Sequence, residues 1–474
     1  MNVLFKRIGS PSIRLFPATE ANGGIGYLTN TTTGAAQTNA TALGVLSSSS
    51  PITLSNTIWQ VNAANRFTLP MIFEGVTTGR CVIVFGLASN TGPLLVTSRP
   101  FYLDLKPVTS LYEHWTVGDS TAIDWSQIPN RAARTADSAV FNAPANDLER
   151  DYILLVHGWR MKPWERRSFA STGFKRLWHL GYKGRYGLFS WPTDWIDTDL
   201  SNLTNIWNMR YSVNRQNYDR SEQRAWNSGG AGTSLLRDLN RTYSDRVRLI
   251  SHSMGGVVAS EALRLRGQNP SRPPFVHTYI ASQAATVAHA YDAVNPQQIG
   301  GATVYKALPR GNTTQPYFTG MKNAVPIDPL TLKKRIFNFH NEVDYALATP
   351  YVWPFNQAAK PDVGYDYALN GDPSVFTYFR SVQGYNEQLD SKKDAYEIFA
   401  YCATASSKAI GASEDTTHIV RGEIGGAVNL RTDFNFQQQS YSHSAQFNSI
   451  NMNRRLYWWR VLTTFSLTNN LPIP

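Results

Sequence analysis

A serine, a histidine and a carboxylate could together perform nucleophilic acyl transfer. A hydroxyl is a weak nucleophile at neutral pH. It needs a base within hydrogen-bond reach and donors for the negative charge that develops. The segment Ser251-His252-Ser253-Met254-Gly255-Gly256 offers a place for such a serine. A strand-like run, 247–250, leads into it and a helix-like run, 257–265, leads out. A sharp strand-to-helix turn exposes a serine at its apex. The residues two before and two after must be small, because the backbone there runs close to its neighbours. Ser253 has Gly255 two positions on, whereas Ser251 would have Ser253 there, so Ser253 is the predicted nucleophile. His252 reads as a turn residue and not as the base, since neighbours in such a turn point in different directions. The plain alternative is a glycine-capped turn.

The oxyanion must be held by N–H groups aimed at the reacting carbonyl. One donor would be the backbone N–H of Met254, the residue after the nucleophile. The second is expected at the end of an earlier strand, and Val156-His157-Gly158-Trp159 supplies it, with the N–H of Trp159 as donor. His157 itself reads as structural. The acid should follow a late strand. After the run 335–340 comes Asn341-Glu342-Val343-Asp344, and Asp344 is the predicted acid, with Glu342 its competitor. His340, Glu342 and Asp344 could also be read as metal ligands, but no matching cluster supports that, so no metal and no cofactor are predicted. Only His418 and His443 lie beyond Asp344. His443 precedes a helix-like segment, 451–460, and is the predicted base, whereas His418 reads as a strand residue. Trp159, Trp191 and Trp195 are candidates for an apolar acyl pocket, against the plain reading that they pack in the core.

These residues need a scaffold, and the second part of the chain has the grammar of one. From about residue 150, short apolar runs alternate with helix-like segments, as in a mostly parallel sheet flanked by helices. Strands are predicted at 152–156, 186–191, 247–250, 276–281 and 335–339, and helices at 164–180, 220–243 and 255–266. Gly229, Gly230 and Gly232 weaken the second of these helices. The first part differs. Residues 1–65 are rich in Thr, Ser, Asn, Gly and Ala. Residues 66–107 read as short strands punctuated by Gly and Pro, the grammar of an all-β sandwich. The predicted division is a β-module at 1–110, a linker at 111–149, and a catalytic domain at 150–474.

Bulk properties bound the reading. A chain of 474 residues exceeds one ordinary core and predicts two domains or more. Its 42% hydrophobic and 17% charged residues exclude a disordered protein. The net charge of +11 is spread over the sequence, and no nucleic-acid module is visible. No run approaches the ~18 apolar residues of a membrane span, and no signal peptide is read at the N-terminus. Cys81 and Cys402 form no framework or zinc motif. A polar β-module of this composition is common in bacterial surface and secreted proteins, so an extracellular or cell-surface place is the compositional expectation, with the module tethering the enzyme to a surface or polymer.

Taken together, residues from about 150 onward resemble the α/β-hydrolase superfamily, in a little-characterised bacterial branch of serine esterase and lipase-like proteins. The matching pieces are Val156-His157-Gly158-Trp159, Phe189-Ser190-Trp191-Pro192, Ser251 to Gly256 followed by Glu261-Ala262-Leu263, and Asp344-Tyr345-Ala346-Leu347, with His443 near the end. The resemblance implies an α/β-hydrolase fold, a Ser–His–Asp triad, and cleavage of a small or polymeric carboxylic ester through an acyl-enzyme. A peptidase, amidase or thioesterase would use the same machinery, and an inactive surface-binding protein could keep the fold. Two departures stand out. Ser251 occupies the position usually held by Gly, and about a hundred residues separate Asp344 from His443. Insertions at about 193–218 and 350–435 could form a lid.

Overall fold

The computed structural model describes residues 2–9, 12–18, 42–46, 52–54, 60–61, 67–68, 71–88, 94–118, 128–159, 161–193, 206–286, 298–299, 302–303, 317–341, 410–412, 423–430, 443–447 and 453–468. In the first part these residues form small antiparallel sheets. One sheet runs in the order Phe101–Leu105, Gly79–Ala88, Asn2–Gly9, Ile52–Leu54, with Leu94–Thr97 also paired to Gly79–Ala88. A second contains Gly44–Leu46, Ile13–Pro17 and Met71–Gly75. Ile13, Leu15 and Leu46 of the second meet Ile52, Ile83 and Leu105 of the first in one buried cluster.

The second part is built on a mostly parallel sheet of eight strands: β1 (Glu113–Thr116), β2 (Ala133–Arg134), β3 (Tyr152–Val156), β4 (Arg185–Ser190), β5 (Val247–His252), β6 (Thr278–Ser282), β7 (Lys334–His340) and β8 (Ile424–Asn429). Their spatial order is β2-β1-β4-β3-β5-β6-β7-β8, and only the edge pair β1–β2 is antiparallel. Helices α1 (Pro163–His179), α2 (Ile206–Tyr243), α3 (Gly255–Gly267), α4 (Tyr317–Asn323) and α5 (Asn453–Thr464) flank it.

Strand β3 explains why the sheet is covered on both faces. All five of its residues are buried. Side chains alternate across a strand, so Ile153 and Leu155 join a cluster with Ala170, Phe174 and Leu177 of α1 and with Trp458 and Val461 of α5. Tyr152, Leu154 and Val156 join the other cluster, with Leu236 of α2, Val258 and Ala262 of α3, and Met321 of α4. The helices following the adjacent strands β3 and β5 therefore lie on opposite faces. The chain goes one way from β3 to β4, then crosses back past β3 to β5 and continues outward. Such a reversal lies at the carboxyl ends of β3 and β5, the place where open α/β sheets generally bind their ligands.

Two stretches belong to the sheet although their sequence reads otherwise. The segment read as a linker at 111–149 contributes β1 and β2. Strand β1 is short and begins with two ionisable residues, which suggests a loop. Glu113 and His114 are nevertheless buried, because partners are built around them. The Tyr152 hydroxyl donates to Glu113 at 2.7 Å, and His114 lies 2.6 Å from the Thr109 carbonyl. The stretch read as an insertion at 350–435 contributes β8, whose Ile-Gly-Gly start resembles a turn. Gly425 lies against the ring of Phe337, where an added Cβ would come within 2.6 Å of the ring. The stretch read as an insertion at 193–218 contains the start of α2 at Ile206.

Gly229 and Gly232 of α2 lie where α3 crosses it, whereas Gly230 faces Asn130. A Cβ on Gly229 would lie 2.4 Å from Cγ of Glu261. Glu261 is buried in α3 and receives Nε and an Nη of Arg264 at 2.8 and 2.7 Å. Removing one member of a buried pair leaves the other charge uncompensated. Glu261→Ala should cost about 3–5 kcal/mol of stability in urea unfolding, and a loss below about 1 kcal/mol would show that Arg264 is otherwise accommodated.

Candidate active site

Ser253 turns the chain from β5 into α3 with φ 55°, the left-handed region. This conformation costs a non-glycine residue roughly 1–2 kcal/mol. Surrounding bonds hold it there. The Ser253 N–H donates to the Ser282 carbonyl at the end of β6 at 3.3 Å, and its carbonyl accepts from the N–H groups of Gly256 and Ala285 at 2.8 Å each. Backbone crowding selects the glycines. A Cβ on Gly255 would lie 2.3 Å from the His157 carbonyl oxygen, and one on Gly158 would lie 2.9 Å from Cβ of Ser253. The end of β3 is thus pressed against the elbow, with no room for a side chain between them.

The unusual Ser251 fits because its hydroxyl has a buried partner, the hydroxyl of Tyr279, at 2.9 Å. Met254 occupies the N-cap position of α3. A helix N-terminus presents N–H groups without intrahelical acceptors and the positive end of the helix dipole. The turn therefore places a hydroxyl beside a region that favours negative charge.

His157 is structural in its contacts. Its Nε2 accepts the Trp191 backbone N–H at 3.1 Å, which leaves Nδ1 as the donor to the Gly158 carbonyl at 2.7 Å. The Trp191 indole N–H donates to the His157 carbonyl at 2.8 Å, and the two rings stack with centroids 5.4 Å apart. Burial, with Arg166 nearby, holds the pKa of His157 well below the ordinary imidazole value. Trp191 is 0% exposed. It braces the His157–Trp159 turn and is not the open pocket wall that its sequence position suggested. Trp159 is partly buried against the cluster that contains α3.

His443 is buried, and its ring lies 4.8 Å, centroid to centroid, from that of His252, the residue before Ser253. It sits in a short turn followed by the 3₁₀ segment Ala445–Phe447. Helix α5 anchors this turn, with the Trp458 indole N–H donating to the Gln446 carbonyl at 3.1 Å, and is itself tied to β6 by the Tyr457 hydroxyl, 2.7 Å from that of Ser282. His252 is the last residue of β5 and not a turn residue. Burial, and then the adjacent His443, push its pKa well below the usual value. The involvement of His252 was not read from sequence. The alternation along β5, which puts it on the same face as Ile250, was the available signal.

Strand β7 ends at His340, beside Asn429 of β8. Asp344, its competitor Glu342, Trp195 and His418 lie outside the described residues. Among the described residues, no group of three or more His, Cys, Asp or Glu side chains could hold a metal ion, and no helix is long and apolar enough to cross a membrane. The described side chains thus bring Ser253, the His157–Trp159 turn and the His443 turn to one end of the sheet. Neither a known family model nor a curated protein matches the chain.

Two outcomes follow from the strained turn and the buried rings. Ser253→Gly should be more stable than Ser253→Ala by about 1 kcal/mol, because only glycine adopts the left-handed turn without steric cost. Equal urea midpoints with equal slopes would deny the strain. His157 and His252 are neutral when folded and can take up protons when unfolded. Stability is therefore full above the unfolded value near 6.5 and is lost as pH falls toward the lower folded values. The loss should set in below about pH 6.5, with a slope of at most about 1.4 kcal/mol per pH unit for each ring. Urea unfolding across that range reads it, and a flat profile would contradict the burial.

Proposed function

We propose that the chain is a serine hydrolase of the α/β-hydrolase type that cleaves carboxylic esters through an acyl-enzyme. The observation that carries this reading is Ser253. It stands in a strained left-handed turn between a central parallel strand and a helix, at the carboxyl end of β5 and against the His157–Gly158 strand end. Strain of this kind persists where surrounding structure enforces it, and it clusters at catalytic sites.

In the proposed mechanism His443 takes the Ser253 proton as Oγ attacks the ester carbonyl. The tetrahedral oxyanion is held by the N–H groups of Met254 and Trp159, helped by the N-terminal end of α3. His443 then protonates the leaving alkoxide. Water, activated by the same ring, releases the acid and regenerates Ser253. Asp344 is assigned as the group that orients His443 and stabilises its cationic form. It follows β7, and His443 follows β8, so the chain order is nucleophile, acid, base. No metal or cofactor is assigned a step. The antiparallel sheets of residues 2–105 are proposed to tether the enzyme to a surface or polymer.

Ser253→Ala and His443→Ala should each lower hydrolysis of p-nitrophenyl esters by about 10⁴–10⁶-fold. A fluorophosphonate probe should label wild type at Ser253 and leave Ser253→Ala unlabelled. Wild-type turnover by Ser253→Ala would sink the assignment. A matched series of ester, amide and thioester substrates then reads which leaving group the site prefers.

A further inference from the structure

His252 performs no step in the proposed chemistry, yet it is 2% exposed and its ring lies 4.8 Å, centroid to centroid, from that of His443, the assigned base. Ser251 and His252 project to opposite faces of β5. Ser251 reaches Tyr279 on one face, whereas His252 lies on the other among Phe169 of α1 and Phe447. Both nitrogens of the His252 ring meet the turn that bears His443. Ser444 Oγ is 3.2 Å from Nε2, and Gln446 Nε2 is 3.1 Å from Nδ1. Ser444 directly follows His443 and Gln446 lies two residues further on, and the residue whose ring they share is covalently next to Ser253. Phe447 completes the seat by stacking on Phe169 at 4.4 Å.

We propose that His252 is a positioning residue for the base: through Ser444 and Gln446 its ring fixes the turn that sets His443 against Ser253. The proposal rests on the triad reading above. A histidine suits the task because a flat ring with hydrogen-bonding atoms on two edges fits between aromatic neighbours and still holds two polar side chains. Remaining uncharged, it also lets His443 become cationic beside it without like-charge repulsion. Base and nucleophile are then registered by one residue, a direct way to keep the few-tenths-of-an-ångström geometry that proton transfer needs.

The test uses the full chain and a fluorophosphonate probe, which reads nucleophile reactivity without a known substrate. His252→Phe keeps a ring among Phe169 and Phe447 and deletes both bonds. The maximal labelling rate constant should fall about 10- to 100-fold while the half-saturating probe concentration stays unchanged. Ser444→Ala combined with Gln446→Met removes the same bonds from the other side. It should give a similar fall, and joining it to His252→Phe should add little, the signature of one shared interaction. A folded His252→Phe that labels at the wild-type rate overturns the proposal, as does full additivity. If His252→Phe does not fold, the Ser444→Ala, Gln446→Met protein decides, and wild-type labelling there overturns it. His443→Ala separates the two possible failures. Undiminished labelling in His443→Ala removes the triad reading and the proposal with it. Lost labelling there, with wild-type labelling in His252→Phe, removes only the role of His252.

Discussion

The contact between the His157 carbonyl and the position where a Gly255 side chain would stand governs the site. At that spacing no Cβ fits, so the chain after β5 must pass β3 as bare backbone and turn within two residues. Ser253 takes the left-handed conformation that such a turn demands, and α3 starts directly behind it. Bonds from Ser253 to the end of β6 then lock the elbow to a third strand. Parallel strands spaced by the sheet, and a helix that must begin at once, together place Ser253 at the carboxyl end of β5 beside the end of β3. The cost of the strained residue is carried by the sheet, whose central strands are buried on both faces.

A second layer fixes the surroundings. His157 and Trp191 exchange backbone and side-chain bonds and stack, which ties the start of the loop after β3 to the end of β4 and selects one histidine tautomer. On the opposite face, aromatic packing among Phe169, Phe447 and Trp458 seats the turn that carries His443. The two histidines at strand ends are thus held neutral for different purposes. His157 braces the loop assigned the oxyanion donor, and His252 faces the assigned base. Both are stable as uncharged rings because they are removed from water, which penalises the imidazolium form.

Much of this architecture was legible in the sequence where one rule dominated. Tyr152–Val156 was read residue for residue, because a short apolar run bounded by polar residues has few other readings. Helices α1 and α3 were read to within one residue at each end, because apolar periodicity and glycine limits agree. Legibility failed where partners override local character. Glu113 and His114 look like loop residues until Tyr152 and the Thr109 carbonyl are placed beside them, and β8 looks like a turn until Phe337 explains Gly425. Around the candidate site, the elbow pattern made legible the strand-to-helix turn at Ser253 and Met254 and the end of β3 before His157, while the roles of these residues rest on the proposed function. For Trp191 the sequence leaves pocket wall and core packing both open, because an aromatic residue after a strand gives no sign of which way its indole N–H is bonded. The place of His252 depends on a turn 192 residues away and could not be seen locally.

That separation has a consequence for the order of assembly. The elbow and the loop it touches lie within about a hundred residues of chain, whereas the His443 turn must close a far longer loop. Closure entropy grows only logarithmically with length, so the long loop adds little to the equilibrium cost, but distant contacts form late. If the proposed triad holds, a partly synthesised or refolding chain would therefore present a poised hydroxyl with no proton acceptor beside it. On this hypothesis the molecule acquires chemical competence in its last docking event, as α5 brings the turn home. Pulsed hydrogen exchange should then find the β3–β5 amides protected before those of α5, and the reverse order would refute it. Late competence of this sort would spare the chain, and whatever surrounds it, from a nucleophile active before the fold that governs it is complete.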